Sequence, residues 1–170
     1  MDKRLEQLKK MGEDRNVRLA VAESITCGLV QSLLGGVKDI SHIFVGGVTA
    51  YTLQSKVAML GIDGCHAEKY DCISRKVAEQ MARGVACAFG ANLSVATTGY
   101  ANRTRGVPYA FCCAWYLPAS GPVVIRRSKV VGKSLNRVEM QQKVASKAID
   151  LLIACMAATK PSARQRPSAD

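Results

Sequence analysis

Val17-Arg18-Leu19-Ala20-Val21-Ala22-Glu23-Ser24-Ile25-Thr26 is the stretch from which the rest of the chain is read. Residues 17–22 form a short apolar run with the length of a buried strand. Cys27 to Leu34 then has the character of a helix, predicted over 25–34 and ended by Gly35-Gly36. Ser24 therefore falls where a strand gives way to a helix. In an open α/β sheet that is where ligands collect, and the free N–H groups of a first helical turn attract anions and stabilise an oxyanion. The simpler role for Ser24 and Thr26 is capping that helix, because a hydroxyl before an apolar run accepts from its first N–H groups.

Outward from this stretch the pattern alternates. Residues 2–14 read as an amphipathic helix with Leu5, Leu8 and Met11 on one side. Ile43 to Ala50 reads as a second strand, and its Gly46-Gly47 pair marks a bulge or a close approach. A short helix follows from Thr52 to Leu60, then a loop over 63–71. Ser74 caps a helix running to about Phe89, with Val77, Met81 and Val85 on one face. Leu93 to Thr97 is a third strand, and 98–106 is a long loop at its carboxyl end. Tyr109–Leu117 and Val123–Val131 read as a hairpin, and Leu135–Ala157 as the closing helix. This order predicts a three-layer α/β/α sandwich around a mixed, mostly parallel sheet of about five strands. One domain over 1–157 with a disordered tail over 158–170 is expected, with no second domain and no repeat.

Composition narrows the function classes. With 48% apolar residues the chain is globular in type, and no apolar run approaches the roughly 18 residues that span a bilayer. The charged N-terminus lacks a signal-peptide core, so a cytoplasmic protein without a membrane partner is expected. The seven cysteines contain no C-x-x-C pair, which argues against zinc and against a disulfide framework. His42 and His66 have no partner at metal-ligand spacing and read as structural. Cys27, early in the predicted helix, is where a thiolate would be favoured. The net charge is +11, and between Ala101 and Lys147 nine basic residues face one acid, Glu139. Such a face attracts phosphorylated small molecules or polyanions. With five Tyr, three Phe and one Trp, the chain lacks the basic–aromatic interleaving of nucleic-acid modules, so nucleic acid is not the expected partner.

A second stretch gives Ser24 a chemical context: Phe44-Val45-Gly46-Gly47-Val48-Thr49-Ala50-Tyr51-Thr52-Leu53-Gln54-Ser55-Lys56, running on to Leu60-Gly61-Ile62. With Ala22-Glu23-Ser24 it resembles the C-terminal domain of the competence/damage-inducible protein CinA. That family's pattern is A-E-S-C-T-G-G, then F-x-G-G-x-x-x-Y-x-x-x-x-K-x-x-x-L-G-V, a helix with M-A, and a T-G-I-A-G-P-x-G-G loop. Its stand-alone members are nicotinamide-nucleotide amidases. The resemblance spans roughly 5–157 and implies hydrolysis of the carboxamide of nicotinamide mononucleotide, without cofactor or metal, in a self-associating protein.

An amide hydrolase of this kind needs a nucleophile, a base and oxyanion donors. The candidates are Ser24 as nucleophile with Lys56 and Tyr51 as base and proton shuttle. A lysine desolvated in a cleft is neutral enough to accept a proton, and Ser–Lys pairs are a variant of triad logic. Without the resemblance, Lys56 reads as a solvated surface residue and Tyr51 as a packing residue. The resemblance further points to Thr26, Gly46, Thr98 and Gly99 around the substrate. Arg103, Arg105 or Arg137 would hold its phosphate.

The loop departs from the family. Thr98-Gly99-Tyr100-Ala101-Asn102-Arg103-Thr104-Arg105-Gly106 keeps Thr-Gly and Ala but lacks the Gly-Pro and Gly-Gly pairs that let backbone N–H groups close on a phosphate. The family's loop runs on to K-P-V-G, which stands here as Val107-Pro108-Tyr109-Ala110, and the aspartate of the G-D-R that usually precedes the family's last helix is absent before Arg137. The alternative is therefore a catalytically inactive or respecialised relative that binds a phosphorylated ligand or a protein partner.

Overall fold

The computed structural model describes residues 2–102 and 106–159. The chain order is α1 (Lys3–Glu13), β1 (Leu19–Glu23), α2 (Leu29–Gly35), a 3-10 turn (Ile40–His42), β2 (Phe44–Thr49), α3 (Leu53–Leu60) and α4 (Gly64–Lys69). It continues with α5 (Arg75–Ala88), β3 (Leu93–Tyr100), β4 (Tyr109–Tyr116), β5 (Val124–Val131) and α6 (Arg137–Ala157). The sheet runs β2-β1-β3-β4-β5. β1 pairs in parallel with β2 and β3, and β4 pairs antiparallel with β3 and β5. β4 alone is thus reversed, and the sheet is mixed and mostly parallel in strand direction. No helix among the described residues is long and apolar enough to cross a membrane.

Side-chain alternation along β1 builds the three layers. Leu19 and Val21 point to one face and join α1, α2 and α6 in a core with Leu8, Leu34, Met140 and Leu152. Ala20 and Ala22 point to the other, where α5 packs through Val77, Met81 and Val85, and α3 and α4 add Leu60 and Ala67. Small residues on that face let α5 lie close. The two glycines of β2 meet the predicted close approach: the register slips between Leu19 and Ala20, and a Cβ at Gly46 would stand 2.7 Å from the Phe89 ring.

Several sequence readings change. The loop predicted over 63–71 contains α4, six residues long and capped by the Asp63 carboxylate. One buried residue, Ala67, leaves no periodicity to read. β3 runs three residues further than predicted, because Thr98, Gly99 and Tyr100 pair with Phe111, Ala110 and Tyr109. Gly99 is there because a Cβ would stand 2.6 Å from Ala110. Helix α2 starts at Leu29, not Ile25, so neither Ser24 nor Thr26 caps it. Three of the seven cysteines are buried, Cys112, Cys113 and Cys155, and burial pushes the first two thiols up to about 12. Within the predicted tail, Ala158 and Thr159 close α6, and 160–170 lie outside the described residues.

Candidate active site

Ser24 sits just past the end of β1. Its N–H donates to the Thr97 carbonyl at 3.0 Å, which fixes it to the neighbouring strand. The chain then makes a tight turn in which the Cys27 N–H donates to the Ser24 carbonyl. Cys27 and Gly28 adopt positive φ values of 50° and 94°. Glycine takes that backbone without cost, whereas cysteine does so under strain. The Thr26 and Thr97 hydroxyls meet at 2.7 Å, tying the turn to β3 from the side.

The turn is organised by Glu23, to which the sequence reading gave no role. Its side chain is fully buried, and its carboxylate takes the N–H groups of Gly28 (2.9 Å), Val30 (3.1 Å) and Gln31 (2.9 Å). An internal anion therefore already occupies the start of α2. Those N–H groups are not available to a substrate oxyanion, contrary to the sequence expectation. Cys27 precedes the helix instead of lying in its first turn, and it is exposed. The signal for Glu23 was an acidic side chain at the end of a buried strand, which must find donors if no cation reaches it.

Lys56 approaches from α3. Thr52 caps that helix, accepting from the Ser55 N–H, and the first turn carries Lys56 inward instead of into solvent. The side chain is 1% exposed, and its Nζ lies 3.0 Å from Ser24 Oγ and donates to the Tyr51 carbonyl at 3.0 Å. Burial pulls the amine below its ordinary 10.5, partly offset by Cys72 and Asp71 nearby. No carboxylate pairs with it among the described residues. A lysine so placed is a proton acceptor held in contact with a hydroxyl.

The other predicted residues are distributed around this pair. Tyr51 contributes its carbonyl to Lys56, whereas its phenol is exposed and accepts from the Arg137 guanidinium at 3.2 Å. Tyr51 and Arg137 join Ile25 and the chain from Gly99 to Asn102 around a cleft of about 200 Å³. Ser24, 6% exposed, adjoins the cleft through Ile25, whose carbonyl accepts from the Gln141 side chain of α6 at 2.8 Å. The Thr98 hydroxyl does not face the cleft as a free group. It donates to the Cys72 carbonyl at 2.7 Å and holds the Tyr70–Ser74 segment against β3. Gly46 pairs with Ala20, four residues before Ser24 in β1, and serves the bulge against Phe89, away from the cleft lining. Arg103 and Arg105 lie outside the described residues. His42 contacts Glu13 and His66 contacts Ser74. Among the described residues no cluster of three or more His, Cys, Asp or Glu side chains is placed to hold a metal ion.

Comparison with known proteins bears on this geometry. The CinA C-terminal domain matches residues 1–156. A CinA-like protein of Myxococcus xanthus is 32% identical over 148 residues, covering 87% of this chain and 34% of that protein. One of Chlorobaculum tepidum is 42% identical over 95 residues, covering 56% of this chain and 22% of that protein. The chain thus spans about a third or less of the length of these relatives. Among solved structures, the competence/damage inducible protein CihA of Agrobacterium tumefaciens superposes with a TM-score of 0.79 at 24% identity, covering 90% of this chain and 93% of that one. The competence damage-inducible protein A of Klebsiella pneumoniae gives 0.80 at 20% identity, covering 93% and 98%. Both share the fold.

Proposed function

The chain belongs to the CinA C-terminal domain family, and from that premise we propose that it hydrolyses the carboxamide of nicotinamide mononucleotide to the acid and ammonia. The observation that carries this reading is the buried Lys56 amine 3.0 Å from the Ser24 hydroxyl. The neutral amine takes the hydroxyl proton as Ser24 Oγ attacks the carboxamide carbon. The tetrahedral intermediate collapses when the ammonium of Lys56 returns that proton to the leaving nitrogen, which departs as ammonia. Water then attacks the seryl ester, again giving its proton to Lys56, and the acid leaves as the Ser24 hydroxyl is restored.

The Tyr51 carbonyl holds the amine in line throughout, and the phenol contributes a polar wall to the cleft in place of the shuttle role. With the α2 N–H groups held by Glu23, the donors left for the oxyanion are the Ile25 and Thr26 N–H groups of the turn. No described residue accepts from either. Arg137, at the start of α6, places a cation on the cleft wall for the phosphate.

Ammonia release from nicotinamide mononucleotide by the wild-type chain and by Ser24→Ala tests the reading. Release by the first alone, with both unfolding at the same temperature, is the expected result. Turnover by Ser24→Ala removes the serine from the mechanism. A second reading, a binder without turnover, draws on the missing Gly-Pro and Gly-Gly pairs of 98–106. It predicts thermal stabilisation by the nucleotide with no ammonia.

A further inference from the structure

Among the described residues the sheet ends at β5, which has no neighbouring strand on its outer side. The Gly132 N–H donates to the Pro108 carbonyl at 2.9 Å, and β5 pairs with β4 in the register Tyr109↔Val131. The even-numbered residues of β5 therefore bond β4, and the backbone groups of Ile125, Arg127, Lys129 and Val131 face outward. Two side-chain contacts from outside agree: Lys143 donates to the Val131 carbonyl at 3.0 Å and Arg126 to the Ile125 carbonyl at 3.3 Å. Arg127 and Lys129, in the middle of the strand, keep outward N–H groups with no partner among the described residues.

A groove runs along each face of this edge. One lies between β5 and α5 and is lined by Arg75, Lys76, Arg83 and Arg127 with Glu79. The other lies between β5 and α6 and is lined by Lys143 and Lys147 with Asp150; the Lys129 side chain lies on the α5 face with Arg127, its ammonium 4.7 Å from the centre of the Tyr109 ring. The acids in both are already engaged, Glu79 by Arg127 and Asp150 by Arg4. Arg75, Arg83, Arg126, Lys129, Lys143 and Lys147 have no carboxylate partner among the described residues. Charge on an edge strand by itself blocks edge-to-edge pairing. Here the cations extend onto the helices on both faces, into the grooves that the alternating side chains of one more strand would enter.

We propose that the β5 edge is a docking site for an acidic, extended segment of a partner protein, which adds to the sheet as a sixth strand. The central backbone of β5 supplies the pairing, and the two cationic grooves select carboxylates on both faces of the incoming strand. A second copy of this chain does not fit the site, because it would set Arg126, Arg127 and Lys129 against their own kind.

The test uses a labelled, end-blocked peptide of about eight residues, made of Glu and Thr with Glu in adjacent pairs so that both faces are acidic. Three comparison probes carry similar charge: the same peptide N-methylated at alternate residues in each of the two parities, and a short oligothymidylate. Expected results are binding of the plain peptide, loss of about tenfold or more on N-methylation in one parity, and a similar loss in Lys129→Glu and Arg126→Glu. In the wild-type chain, amide exchange at Arg127 and Lys129 should slow when the peptide is bound, a readout independent of whether the variants fold. Equal binding of both N-methylated peptides overturns the proposal, as does exchange protection located elsewhere. Binding of the oligothymidylate without the peptide also overturns it, and reassigns the face to phosphate polymers.

Discussion

The turn after β1 and the first turn of α3 each bury one ionisable side chain beside Ser24, and they hold it by opposite means. Glu23 is surrounded by donors: three backbone N–H groups replace the water its carboxylate gives up. Lys56 has two oxygen partners, a hydroxyl and a carbonyl, and no ion-pair partner among the described residues, so burial pulls its pKa down despite the opposing influence of Cys72 and Asp71. The lesson is that burial alone does not decide a side chain's part. A carboxylate fully hydrogen-bonded by the backbone becomes scaffold, whereas an amine left short of partners becomes a base.

The strongest way to break that comparison is Lys56→Met, a replacement of similar volume. It should lower amide turnover by about a thousandfold or more, the scale of losing a positioned base together with nucleophile activation. It should also raise unfolding stability at neutral pH by about 1–3 kcal/mol, since a desolvated amine without an ion-pair partner is removed. Equal or lower stability in urea unfolding would show that Lys56 is adequately solvated where it sits. Glu23→Gln should act with the opposite sign on stability. Only one amide oxygen remains to accept, and the NH2 group faces donors, so a loss of about 2–3 kcal/mol is expected in the same urea measurement. Retained stability would mean that α2 does not depend on the carboxylate.

A pH series sharpens the contrast. Lys56 has its folded pKa below the 10.5 of the unfolded chain, so in the window between the two the unfolded state binds more protons. Stability therefore rises with pH through that window and levels off above 10.5, and Lys56→Met lacks this rise. Parallel pH profiles of wild type and variant would remove the desolvated lysine from the account. Turnover should rise over the same side, as the amine loses its proton. Smaller effects belong to the periphery. Thr98→Val should cost about 1 kcal/mol through the lost bond to the Cys72 carbonyl, read as a lower melting temperature. Tyr51→Phe loses only an exposed contact with Arg137 and should leave stability within about 0.5 kcal/mol of wild type. A larger drop would assign the phenol a structural part.

How far the sequence carried differed by residue. The position of Ser24 was legible because its setting is local, a strand-to-helix junction, whereas Lys56 reads locally as a surface lysine and was singled out only by the family resemblance. Glu23 was passed over because a Ser or Thr before an apolar run is the usual cap; an acid ending a buried strand signals a need for donors, but not that they lie five to eight residues further on. Thr98 and Gly99 were placed around the substrate by the family resemblance. The close approach of β4 that requires Gly99, and the Cys72 carbonyl that occupies Thr98, come from distant sequence.

By itself, then, the sequence determined the three layers, the alternation of apolar residues that orients β1 between them, and the place of Ser24 at a strand-to-helix junction. These follow from periodicity and short-range spacing, which physical chemistry fixes locally. Lys56 was singled out by the family resemblance. Tertiary structure alone decided that Glu23 holds the turn, that Lys56 is sealed from water, and that the Tyr51 phenol turns to Arg137 while its carbonyl holds the amine. Each depends on which groups from separate strands and helices exclude solvent together, and desolvation exists only once they have packed.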